Sequence, residues 1–167
     1  MTGALEHAER VVADVLDPEL PQLTLADLGI VRRVTIEDDM VIVVVTPTYS
    51  GCPAMTEIRV DIQGQLRAAG YPKVDVRLQL DPPWTTDWIT DAGRRKLQSA
   101  GITPPAESAP RRDGPVPLTL GRRPAEVRCP RCTSTDTQEL SRFGATACRA
   151  LYRCRACAET FDYMKAI

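Results

Sequence analysis

The apolar positions of the first hundred residues change period several times, and each change marks an element. Leu5, Ala8, Val11, Val12 and Val15 recur at steps of three and four, the spacing of one helix face. Asp17-Pro18 closes that helix, because proline disfavours helical backbone in the residue before it. The loop ELPQLTLADLG follows. Ile30 to Ile36 then reads as a strand with Arg32, Arg33 and Thr35 among its polar positions, and Asp38-Asp39 as a turn. Met40 to Thr46 is almost wholly apolar and β-branched, the pattern of a central strand covered on both faces. Met55, Ile58, Ile62, Leu66 and Ala69 return to helical spacing. Pro53 suits the first turn of this second helix and Gly70 its end. Val74, Val76, Leu78 and Leu80 alternate with Asp75, Arg77 and Gln79, as a half-buried strand does. A weaker stripe, interrupted by Gly93, predicts a third helix from near Asp87 to Ala100.

The predicted order is α-β-β-α-β-α. The first two strands make a hairpin. The strand-helix-strand unit from Met40 to Leu80 makes its two strands parallel through a right-handed crossover. Residues 1–101 are therefore expected to form a small α+β sandwich with a mixed three-stranded sheet. From 102 to 127 the period is lost: six prolines and Arg111, Arg112, Arg122 and Arg123 read as an extended linker.

Residues 128–167 are organised by cysteines. Cys129 and Cys132 stand in CPRC, Cys154 and Cys157 in CRAC. Two intervening residues let one tight turn aim both sulfurs at one point, and the stretch between the pairs is long enough for a β-hairpin. Four thiolates then meet at tetrahedral geometry, which suits a closed, structural Zn²⁺ site. The expectation is a zinc ribbon, although Thr133 and Ala158 stand where glycine often follows such a knuckle. Two disulfides, or unpaired thiols, are the bland alternative. A redox pair of the thioredoxin type lacks its βαβ frame here. Cys148 is left over; it either packs in the hairpin or binds metal transiently beside the ribbon.

Composition narrows the picture. The chain has 167 residues and a formal net charge of -1, which does not suggest a polyanion-binding protein. A ribbon of some forty residues depends on its metal to fold. The longest apolar run, Met40 to Val45, is too short to span a bilayer. The N-terminal MTGALEHAERVVADV lacks a signal-peptide core. The cytoplasm is the expected compartment, where thiols stay reduced.

A second site is the segment TPTYSGCPAM, Thr46 to Met55. It joins the central strand to the second helix, where ligands usually meet α/β units. Gly51 permits a sharp turn. Cys52 precedes Pro53 near the helix N-terminus, where free amides and the helix dipole are expected to favour its thiolate, a ligand for soft metals such as iron. Thr46, Thr48, Tyr49 and Ser50 can supply hydroxyls around it. The alternative is that Cys52 is a small buried apolar residue. Asp17, Glu19 and Asp27 flank two prolines; they either cap turns or place a carboxylate near Cys52. His7 is the only histidine and nothing places it beside Cys52, so no Cys-His device is expected. With no glycine-rich phosphate loop either, no independent hydrolase or nucleotide enzyme is expected.

DPELPQLTLADLGIVRRV followed by VIVVVTPTYSGCPAM resembles the iron–sulfur-assembly domain shared by SUF-associated proteins and eukaryotic cytosolic cluster-targeting factors. Together with CPRC, FGATACRALYRCRAC and FDYMK, the whole is similar to the D-subunit family of bacterial phenylacetyl-CoA epoxidase systems. The resemblance implies a role in phenylacetate breakdown, helping to mature a multicomponent oxygenase rather than turning over substrate. It implies Cys52 as the reactive thiol, with Asp17, Glu19, Thr46, Thr48 and Gly51 around it, and transient iron or an iron–sulfur cluster as cargo. The implied partners are a di-iron oxygenase subunit and a flavin iron–sulfur reductase; nucleic acid and membrane are not expected, and association of two copies is open. Two other readings stand beside it: a stoichiometric structural subunit of the oxygenase, and a zinc-ribbon nucleic-acid module favoured by Arg128, Arg131 and the linker arginines.

Overall fold

The helical stripe at the N-terminus is realised as α1 (Thr2–Ala13), which buries Ala8 and Val12. The computed structural model describes residues 2–49, 51–106 and 126–166. Contacts divide the chain into two units, 1–100 and 101–166.

In the first unit, β1 (Val31–Glu37) and β2 (Met40–Val45) form an antiparallel hairpin. Its turn is Asp38-Asp39, with φ of 48° and 61°; two consecutive positive φ values are what the right-handed twist of a two-residue hairpin requires. Next comes α2 (Ala54–Ala68), then β3 (Lys73–Leu78), which pairs parallel to β2. The sheet order is β1-β2-β3, so the predicted mixed sheet is present and β2 alone pairs on both sides. Val34, Val43 and Val76 lie in one row across the sheet and are all buried. On this side α1 packs on β1 and α2, and α2 packs on β3. On the other face Ile42 and Val44 are also buried, although their neighbours in register are Thr35, Asp75, Arg33 and Arg77. That explains why β2 carries no polar position. The second helix buries Met55, Ile58, Ile62 and Leu66 as the periodicity predicts. It ends at Gly70 (φ 96°), with Tyr71 N–H donating to Leu66 O and Gly70 N–H to Arg67 O. This paired closure needs a left-handed residue that glycine supplies without strain.

Two boundaries differ from the sequence expectation. The third helix does not start near Asp87. A single 3₁₀ turn, Thr86–Trp88, is followed by extended Ile89, and α3 spans Asp91–Ser99. Thr90 sets the start: its Oγ1 accepts the Gly93 N–H at 3.0 Å, an N-cap that satisfies an otherwise orphaned donor. The expected linker also begins late. Ile102–Thr103 form β4, parallel to β7 (Thr160–Met164) in the second unit. Residues 107–125 of the expected linker lie outside the described residues, as does Ser50.

The second unit holds β4, β5 (Thr137–Ser141), β6 (Arg149–Cys154) and β7 in the order β4-β7-β6-β5. Both β5–β6 and β6–β7 are antiparallel. Its core is Val127, Cys129, Ala150, Tyr152, Cys154, Phe161 and Tyr163. Among the described residues no helix is long and apolar enough to cross a membrane.

Candidate metal centre and the Cys52 loop

The hairpin β5–β6 carries Cys154 over the first knuckle. The sulfurs of Cys129, Cys132, Cys154 and Cys157 all lie within 4.8 Å of one another. Cys129 and Cys157 sulfurs are 3.7 Å apart, Cys132 and Cys154 sulfurs 3.5 Å. Four sulfurs bound tetrahedrally at ~2.3 Å stand ~3.8 Å apart, so the set fits one metal ion. None of the six cysteines is in a disulfide.

The two knuckles are built alike. Cys129 N–H donates to Ser134 O at 2.9 Å and Cys154 N–H to Glu159 O at 2.8 Å. The Ser134 N–H points at the Cys132 sulfur and the Glu159 N–H at the Cys157 sulfur. The residue between, Thr133 or Ala158, has φ 62° in both. This is the glycine-like backbone that the knuckle needs, adopted here by two residues with side chains. Arg131 of the first knuckle pairs with Glu159 of the second at 2.7 Å, and Arg155 of the second reaches Asp136 beyond the first at 3.8 Å.

The four thiols do not ionise alike. Against the Ser134 N–H, which favours the thiolate, the Cys157 and Cys154 thiols push Cys132 up to about 12. The Cys157 N–H is the main influence holding Cys154 down to about 7. Only a cation lets all four ionise together. Cys148 stays apart from this set: it is buried, its sulfur 3.0 Å from Thr146 Oγ1, while its carbonyl accepts the Lys165 N–H.

Cys52 is half-buried just before Pro53, the residue preceding α2. Its N–H donates to Tyr49 O at 3.2 Å, closing the turn that contains Gly51 (φ 84°). Burial pushes its thiol up; the Ala54 N–H opposes this, Glu19 adds to it, and the Thr48 and Tyr49 hydroxyls oppose it more weakly. The expected thiolate stabilisation is therefore overturned. The donors are present, but desolvation and the Glu19 charge outweigh them.

The other expected residues divide. Glu19 acts on Cys52 as a charge, and Thr48 as a hydroxyl. Thr46 is buried and its hydroxyl donates to Gln79 O, tying the root of the loop to the end of β3. Asp17 Oδ1 accepts the N–H groups of Glu19 (2.9 Å) and Leu20 (2.8 Å), fixing the turn that carries Glu19. Asp27 Oδ2 accepts the Thr24 N–H at 2.9 Å and the Lys96 ammonium at 2.6 Å; it locks that turn to α3. Lys96 was not singled out by sequence reasoning, and Gly93 only as an interruption of the third helix's stripe. An acid three residues after a threonine hinted at the turn, but a partner 69 residues away has no local signal. The N–H groups of Ser134 and Glu159 were missed too, although both stand two residues after a second cysteine.

An α+β module with a thiol loop at its strand-to-helix junction, followed by a four-cysteine ribbon, is the class that fold and sites define. Residues 6–79 match the iron–sulfur cluster assembly protein family, and residues 113–165 match the PaaD zinc beta ribbon domain. The chain is 46% identical over 157 residues to the putative D-subunit of 1,2-phenylacetyl-CoA epoxidase from Escherichia coli (strain K12), covering 94% of this chain and 90% of that one. The chain is also similar to the "Fe-S protein maturation auxiliary factor" of Porphyromonas gingivalis (strain ATCC BAA-308 / W83), 30% identical over 94 residues, 55% of this chain and 89% of that one. A crystal structure of a domain of unknown function, DUF59, from Bacillus anthracis shares the fold: TM-score 0.53, 23% identity, 57% of this chain and 92% of that one. The chain belongs to the PaaD family, the D-subunits of 1,2-phenylacetyl-CoA epoxidase.

Proposed function

We propose that this chain is an accessory maturation subunit of a phenylacetyl-CoA epoxidase system, assisting assembly of its iron or iron–sulfur centres through Cys52, while the ribbon holds one structural Zn²⁺. The observation that carries the reading is the Cys52 loop, inside the residues matched by the iron–sulfur-assembly family. There a half-buried sulfur meets the Ala54 N–H and two hydroxyls, with Glu19 acting on it. A soft sulfur with hydrogen-bond donors suits iron or a cluster as passing cargo. Taking that cargo displaces the thiol's proton, so loading weakens as pH falls. The closed four-thiolate set leaves no open position, as in structural rather than catalytic zinc sites.

Cys52→Ser tests the reading. It keeps size and hydrogen bonding but loses soft-metal affinity. The variant should keep its stability within about 1 kcal/mol, while cells carrying it grow poorly on phenylacetate and yield an iron-poor epoxidase. Normal growth with full metal content would remove Cys52 from the maturation role. Loaded, purified epoxidase that needs this chain for each turnover would instead support a stoichiometric structural component, the reading favoured by the relative's being named as part of the epoxidase itself.

A further inference from the structure

The motif FGATACRALY lies outside both sites. Its first six residues, 143–148, lie in the tip joining β5 to β6, and the tip presents one large apolar group: Phe143 is 67% exposed. Leaving such a ring in water forgoes the stabilisation that burial would return. A loose loop could fold it inward, but this loop is fixed. Ser141 Oγ donates to Phe143 O at 2.8 Å and accepts the Phe143 N–H at 3.2 Å. Gly144 N–H donates to Arg149 O at 2.8 Å. Arg149, only 11% exposed, holds the Thr146 hydroxyl at 3.1 Å and the Asp162 carboxylate at 3.2 Å. A side chain in place of Gly144 would put its Cβ 3.0 Å from that same carboxylate.

A cation stands at the ring, and the nearby Asp162 carboxylate is taken up by Arg149. The Lys165 ammonium lies 4.9 Å from the ring centroid and donates to Arg142 O at 3.1 Å. Among the described residues neither Arg142 nor Lys165 has a carboxylate partner. The balance of the whole segment agrees: residues 101–167 carry eleven Lys and Arg against seven Asp and Glu, and residues 1–100 the reverse, ten against fifteen.

We propose that the β5–β6 tip is a docking finger, with Phe143 as anchor, for an aromatic-sized apolar socket rimmed by carboxylates on a partner protein of the epoxidase system. Affinity at protein interfaces concentrates in rigid aromatic anchors that lose little freedom on binding, and flanking cations set encounter rate and orientation. The alternatives fit less well. One ring and two cations bury too little to hold a lipid surface, and single-stranded nucleic acid needs several stacking platforms. The proposal rests on the accessory-subunit reading, because that reading supplies the partner.

The test uses the full, metal-loaded chain against the purified oxygenase and reductase components of the same system, titrated separately. Phe143→Ala should weaken binding to one component at least tenfold, and Phe143→Trp should retain it. Arg142→Glu, which removes no packing, should weaken it severalfold and reduce its salt dependence. Cys52→Ser should bind as the parent does, so loss of docking and loss of metal delivery are read separately. Metal content of one equivalent per chain checks that Phe143→Ala is folded; if it is not, Arg142→Glu decides. Unchanged affinity in the folded variants, or binding to neither component, overturns the proposal. So does a dependence on Phe143 seen instead with phosphatidylglycerol vesicles, with single-stranded DNA, or in self-association by sedimentation.

Discussion

Thr133 and Ala158 hold a left-handed backbone, φ 62° in each, that costs an L-residue roughly 1–2 kcal/mol. The knuckle demands it, since the next N–H must turn back toward the second cysteine's sulfur. Glycine would remove that strain but add unfolded-state entropy of ~0.5–1 kcal/mol. Ala158→Gly should therefore raise the stability of the metal-loaded ribbon by about 0.5 kcal/mol, read as a higher urea midpoint for the second unit at unchanged slope. A lower midpoint would mean that the Ala158 methyl contributes packing. The two non-glycine residues were visible in the sequence, and so were the four ligands, because each pair is a local object. The state of Cys52 was not. Its position before α2 is local and was legible. Burial is tertiary, and so is the approach of Glu19, and together they reverse the expected direction of its shift.

At the level of elements, α3 meets the Asp27 turn through one charged contact and one close approach. Asp27 takes the Lys96 ammonium and the Thr24 N–H, and an added Cβ at Gly93 would stand 2.7 Å from Asp27 O. Gly93 weakens the helical pattern in sequence because its role is to let two backbones meet. Gly93→Ala should cost about 2 kcal/mol through overpacking, measured by thermal or denaturant unfolding of the first unit. Burial acts to raise the Asp27 pKa, but the Lys96 and Thr24 hydrogen bonds outweigh it and leave it lowered. A lowered folded-state value means that Asp27 contributes stability above the unfolded carboxylate range near ~4 and loses it as pH falls through the folded value. Because Lys96 is 45% exposed, the effect is screened to about 1 kcal/mol. Asp27→Asn should lower stability by that amount at neutral pH and converge with the parent in acid. A parallel offset at all pH values would show the loss to be steric. Strand order and helix faces were legible because β2 has no polar position and α2 has one clean stripe. β4 was not legible: two residues, Ile102 and Thr103, have no period and are strand only because β7 offers an edge.

Across the whole molecule the two units have different sources of stability. The first buries three helices' apolar faces and a β-branched central strand, enough for a core that owes nothing to metal. Among the described residues the second has one core cluster of seven, two of them cysteine ligands. Such a core is too small to offset the entropy of ordering the unit, and binding free energy of the metal becomes folding free energy. Removing metal also leaves thiols that cannot ionise together, with Cys132 pushed up to about 12 and Cys154 down to about 7. A strong zinc chelator should therefore abolish the strand signal and the aromatic near-UV signal of the second unit, where Tyr152 sits between Phe161 and Tyr163. The unfolding transition of the first unit should keep its midpoint. Zn²⁺ should restore both signals at one equivalent per chain, and less tightly as pH falls, because protons compete for the thiolates. Cys129→Ser should behave as the chelated chain does. A ribbon that keeps its signals after metal removal would place its stability in the aromatic cluster, and loss of both units together would mean that they unfold as one.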